Sequence, residues 1–151
     1  MNYRSNLGCM AFCIFFVIQA SAQYSSDISQ ISNSKPILFK QVPQKSQCNI
    51  KALDKLFSAK GTVNLAISQG FFLRGELIEN VQRNPSVQSI NISLSDFPGA
   101  IFTLSRTKLE NGSIRYNGHI ISTDYRDAMV LSLENGKYYF TKTEQRLLIT
   151  D

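Results

Sequence analysis

From Thr62 onward, polar and apolar residues take turns along the chain. In "TVNLAIS" (62–68), Val63, Leu65 and Ile67 fall on one side and the polar residues on the other. That period of two is the pattern of a half-buried strand. Similar runs are "FFLRGELI" (71–78), "VQSINISL" (87–94), "AIFTLS" (100–105), "IRYNGHIIS" (114–122), "AMVLSL" (128–133), "KYYFTK" (137–142) and "RLLIT" (146–150). Turn pairs separate them: Gln69-Gly70, Pro98-Gly99, Asn111-Gly112, Asn135-Gly136 and Thr143-Glu144. Proline fixes φ near −65° and glycine accepts positive φ, so these pairs reverse the chain cheaply. Asn-Gly between two alternating runs is a strong short-range hairpin signal. No helical period intervenes. The chain is therefore mainly β, an antiparallel meander of about eight strands forming a small barrel, a curved sheet or a sandwich.

One short helix is predicted ahead of the strands. Ile50, Leu53, Leu56 and Phe57 recur at helical spacing, Asn49 is placed to cap the start, and Gly61 ends it. Residues 23–48 form a Ser- and Gln-rich lead-in interrupted by Pro36 and Pro43, read as flexible because it has little apolar surface to bury. Within it "PILFKQV" (36–42) is apolar enough to add a strand along a sheet edge. The single β domain is thus expected to span 49–151.

The first 22 residues have the form of an export signal. Arg4 supplies positive charge, Met10 to Ile18 a short apolar run, and Ala20-Ser21-Ala22 the small residues for cleavage between Ala22 and Gln23. The apolar run is short for a stable span, so the mature chain is expected to be secreted or periplasmic, with no membrane span. Cys9 and Cys13 would leave with the signal, and Cys48 would remain alone. An internal disulfide and a cysteine-based zinc site are then excluded. Two readings of Cys48 stay open, a buried free thiol and a link to a second chain.

Charge changes the picture little. The chain carries a net charge of +5, but Lys35, Lys40, Lys45, Lys51, Lys55 and Lys60 are spread out, without the interleaved aromatic rings that nucleic-acid binding needs. Catalytic signals are weak. His119 is the only histidine, and by alternation it shares a strand face with Arg115, Asn117 and Ile121, opposite Ile114, Tyr116 and Ile120. No glycine-flanked serine elbow accompanies it. One histidine cannot assemble a zinc site. Glu76 and Glu79 are predicted to point to opposite faces rather than to form a catalytic pair. "DYRD" (124–127) lacks the carboxylate count and glycine of a calcium loop. Asn91 and Asn111 begin glycosylation sequons, of consequence only in a eukaryotic secretory pathway. No catalytic residue, cofactor or metal ligand is assigned.

"FPGAIFTLSR" followed by "YNGHIIS…DAMVLSLENGKYYF" resembles small secreted β-rich proteins of Bacteroidetes type. More loosely, Tyr116-Asn117-Gly118, then Val130-Leu131-Ser132, Gly136 and Tyr139, resemble the propeptide domain of reprolysin-like metalloproteases. That resemblance implies an extracellular β-domain that docks on a partner. It transfers no catalytic residue, since the inhibitory cysteine of such a propeptide follows its strands whereas Cys48 precedes them. Two functions are therefore expected. The first is a non-enzymatic module docking an extracellular or periplasmic protein or polymer through a strand face or sheet edge, with Phe97, Tyr125, Tyr138 and His119 as candidate contacts. The alternative is a lipocalin-like container for a small apolar ligand.

Overall fold

The computed structural model describes residues 35–148 except Gln69. The signal segment 1–22, its cleavage at Ala22 and Gln23, and the lead-in up to Ser34 lie outside the described residues. The alternating runs become β2 (Thr62–Ser68), β3 (Phe71–Asn84), β4 (Val87–Leu94), β5 (Ala100–Lys108), β6 (Ile114–Ser122), β7 (Asp127–Glu134) and β8 (Lys137–Glu144). Each pairs antiparallel with the next. The eighth strand is not where the pattern placed it. "RLLIT" begins instead in a 3-10 turn, Gln145–Leu148. The missing strand is β1 (Lys45–Gln47), which pairs antiparallel with β8, and the sheet order is β1-β8-β7-β6-β5-β4-β3-β2. The sheet is a curved meander that does not close into a barrel.

The same structure describes the last part of the lead-in, from Lys35 onward. One compact unit begins at Lys35. Residues 36–42 do not add a strand. They are held through the buried Asp127, whose carboxylate oxygens accept the amide N–H groups of Leu38 at 2.7 Å and Phe39 at 2.9 Å. Charge-assisted bonds of this kind are strong, and they drive the Phe39 ring into the core, where it is wholly buried.

Helix α1 (Ile50–Leu56) lies between β1 and β2. Asn49 caps it as expected, its side-chain oxygen accepting the Lys51 N–H at 3.0 Å. The buried stripe is Ala52, Leu53, Leu56 and Phe57, while Ile50 is exposed. Asp54 leaves the helix toward the sheet, accepting from Arg106 at 2.8 Å and from the Tyr116 hydroxyl at 3.0 Å. Among the described residues no helix is long and apolar enough to cross a membrane.

A run of phenylalanines fills the core. Ring centroids step from Phe39 to Phe97 (5.0 Å), to Phe71 (6.1 Å), to Phe140 (5.7 Å) and to Phe102 (5.6 Å). Tilted and edge-on pairs at these spacings add to the energy of simple burial. Phe71, Phe102 and Phe140 are at most 2% exposed. The β6–β7 ladder joins only Gly118–Ile120 to Met129–Leu131. Beyond it the Tyr116 N–H is satisfied by the Tyr138 hydroxyl at 2.9 Å, so a side chain takes over where the ladder stops.

Candidate functional site

The residues singled out in the sequence are scattered by the fold. Tyr138 is buried and serves the core, with its ring 5.6 Å from that of Tyr116. Phe97 is partly buried between Phe39 and Phe71 and belongs to the phenylalanine run. Tyr125 is half-buried in the β6–β7 turn. These three do not form a common contact surface. Adjacent Tyr138 and Tyr139 differ in burial because the pleat turns one inward and the other outward.

His119 lies on the convex face, half-buried, as its alternation predicts. It stands in a row of cross-strand neighbours that runs to Thr103 and Asn91 on one side and to Val130 on the other. There Thr103 Oγ1 donates to Asn91 Oδ1 at 2.8 Å, and Asn91 Nδ2 donates to Glu79 Oε2 at 2.7 Å. Beside the imidazole is an open hollow of about 380 Å³ walled by Ile121, Val130 and Leu148. Burial holds the imidazole pKa below its ordinary value, which favours the neutral ring. Among the described residues its ring nitrogens meet no hydrogen-bond partner, so no base–orienter pair is formed.

Cys48 is 5% exposed, and burial pushes its thiol pKa from 9.0 up to about 12. Within this chain Cys48 is a buried free thiol, and a link to a second chain would require it to become an accessible thiolate. The sign of the pH effect follows. An unfolded Cys48 ionises from about pH 9 while the folded thiol stays protonated, so its stabilising contribution is whole below pH 9 and is lost as pH rises towards 12. Tyr116 acts in the same direction, its pKa raised to about 12 by burial and the hydrogen bond to Asp54. Urea unfolding is expected to show a fold about 2 kcal/mol less stable at pH 10.5 than at pH 8 from Cys48 alone. A thiol reagent at pH 8 should leave Cys48 unmodified until denaturant is added.

The sheet has two ends, and they differ. At one end β1 is three residues long and begins at Lys45, whose ammonium meets Glu134 at 2.5 Å and lies 4.6 Å over the Tyr139 ring. Pro43 stands two residues before it. Brevity, a lysine and a nearby proline are the devices by which sheet edges avoid stray pairing. At the other end β2 has seven residues and no charge or proline among them. The Leu77 N–H donates to Gly61 O, so by antiparallel alternation residues 63 and 65 exchange bonds with β3. The amide and carbonyl of Thr62 and Asn64 then face outward. Among the described residues one backbone bond reaches this edge, from Asn49 N to Ile67 O at 2.9 Å.

Next to that bond lies an open groove of about 1050 Å³ between the end of β1, the start of α1 and the end of β2. Phe72, 61% exposed, and Ile50, 43% exposed, line it. The sequence carried half of this signal, an uncharged strand. That β2 is an end strand depends on the strand order, which local patterning does not encode. No protein-family model, curated protein or solved structure matches this chain.

Proposed function

We propose that this chain is a secreted, non-enzymatic docking domain that accepts an extended segment of an extracellular or periplasmic protein along the outer edge of β2. The observation that carries the reading is the asymmetry of the two edges. One is short, charged and guarded by Pro43; the other presents Thr62 and Asn64 backbone groups with exposed Phe72 beside them. Strand addition uses such an edge, main-chain bonds giving affinity and side-chain hollows giving selectivity. Export supports the reading through the signal-like segment, and the propeptide resemblance is consistent with docking on a partner.

The test is a photo-reactive residue at Phe72 in the exported protein, compared with one at Thr107 on a distant part of the convex face. A defined adduct is expected from position 72 and should disappear with Asn64→Pro, which removes an outward amide without touching the β3 ladder. The same adduct from both positions, or one indifferent to Asn64→Pro, would sink the edge as the docking site.

A further inference from the structure

The β2 edge has a charged border as well as an apolar groove. Lys51 lines the groove with Ala66, Ile67 and Phe72. Lys55 is four residues on, one turn further along α1, and Lys60 stands two residues before β2. All three are exposed, and none has a carboxylate partner among the described residues. The nearby acids are otherwise engaged. Asp54 is ion-paired with Arg106 and also accepts from Tyr116, and Asp96 is ion-paired with Arg74. Glu76, opposite Thr62, is the exception. The open edge is therefore flanked by an excess of positive charge.

Resting on the edge-docking reading, we infer that the natural occupant is an acidic extended peptide, with apolar residues alternating with glutamate or aspartate. The backbone of such a segment completes the β2 ladder, one face meets Phe72 and Ile50, and its carboxylates meet Lys51, Lys55 and Lys60. Charge also argues against a second copy of this chain. Pairing β2 with its own twin about a twofold axis would bring two sets of the same lysines to one seam, and like charges across an interface disfavour it. An anionic polysaccharide would satisfy the lysines but not the outward amide and carbonyl groups of Asn64.

The experiment uses the mature chain and three synthetic nine-residue peptides in which valine alternates with glutamate, threonine or lysine. Binding is measured by calorimetry at low and high salt, with sedimentation of the free protein alongside. The glutamate peptide is expected to bind about tenfold more tightly than the threonine peptide, an advantage that added salt erases. The lysine peptide should bind weakest, and K51E/K60E should invert the order. Lys51→Glu places an acid in the first turn of α1, where the helix tolerates it well. A glutamate peptide N-methylated on alternate amides should lose its binding, which tests the ladder without altering the protein.

Equal binding of the glutamate and threonine peptides would overturn the acidic class and leave the edge reading standing. Binding indifferent to both N-methylation and Asn64→Pro would overturn the two together. A dimer that the peptides dissociate would make a second copy the occupant. Heparin binding that depends on Lys51 and Lys60, with no peptide bound, would move the assignment to an anionic polymer.

Discussion

Gly75→Ala is expected to destabilise the fold by about 3 kcal/mol or more, the upper range for overpacking a filled interior. Gly75 lies on the buried face of β3, opposite Leu94. A methyl group there would stand 2.2 Å from the carbonyl oxygen of Ser93 and 2.9 Å from the Ile92 Cγ2. The first obstacle is backbone, so relief requires β3 and β4 to part, and those strands are paired at eight positions. The neighbours Ile92 and Leu94 are themselves buried and have nowhere to go. Gly112→Ala is the control. Nothing lies within 4 Å of its added carbon, and only its positive φ of 79° is strained, at about 1 kcal/mol. Urea midpoints for the two variants should separate clearly. Similar midpoints would mean that β3 and β4 can yield locally.

Asp127→Ala is the second large effect, at about 3 kcal/mol. The carboxylate is 9% exposed and accepts two amide N–H groups, those of Leu38 and Phe39. Bonds to a charged acceptor are worth about 1.5–3 kcal/mol each, and deleting the acceptor leaves two donors at a largely dry site. Releasing that anchor also loosens Phe39, whose ring abuts Phe97. The loss should therefore be regional as well as global. Limited proteolysis is expected to cut the Asp127→Ala variant within residues 35–42 while the strands from β2 onward stay intact. Asp127→Asn keeps one acceptor oxygen and should retain part of the stability. A variant as resistant as the parent would show that Phe39 is held by ring packing alone.

These two sites differ in how far the sequence foretold them. The turns were legible because their chemistry is local: Gly99, Gly112 and Gly136 all take positive φ, and Asn135 joins Gly136 with a φ of 48°. The cap at Asn49 was legible for the same reason. β3 ran past its predicted end because its polar tail, Glu79 to Asn84, has no alternation to announce a strand, and it is held by pairing with β4 across two register shifts. Tyr138, named as a candidate contact, is buried: in "KYYF" it alternates with exposed Lys137 and falls on the same side as Phe140. β1 and Phe39 could not be read locally at all. Their partners lie some ninety positions away, at Asp127 and in β8. For the candidate site the uncharged run of β2 was visible, but its standing as an open edge, with lysines gathered beside it, came from topology.

That distant pairing sets the order in which the molecule can be finished. Seven strands are joined by neighbouring hairpins and can zip up in sequence, each contact closing a short loop. β1 must wait, since Lys45 is matched to Thr141. A polypeptide made from its N-terminus therefore exposes Phe39 and the β1 backbone for nearly the whole time of synthesis, until β8 is delivered. The earliest part of the domain to emerge is the last to find its place, and a chain cut short before β8 would be left with an unprotected sheet at both ends.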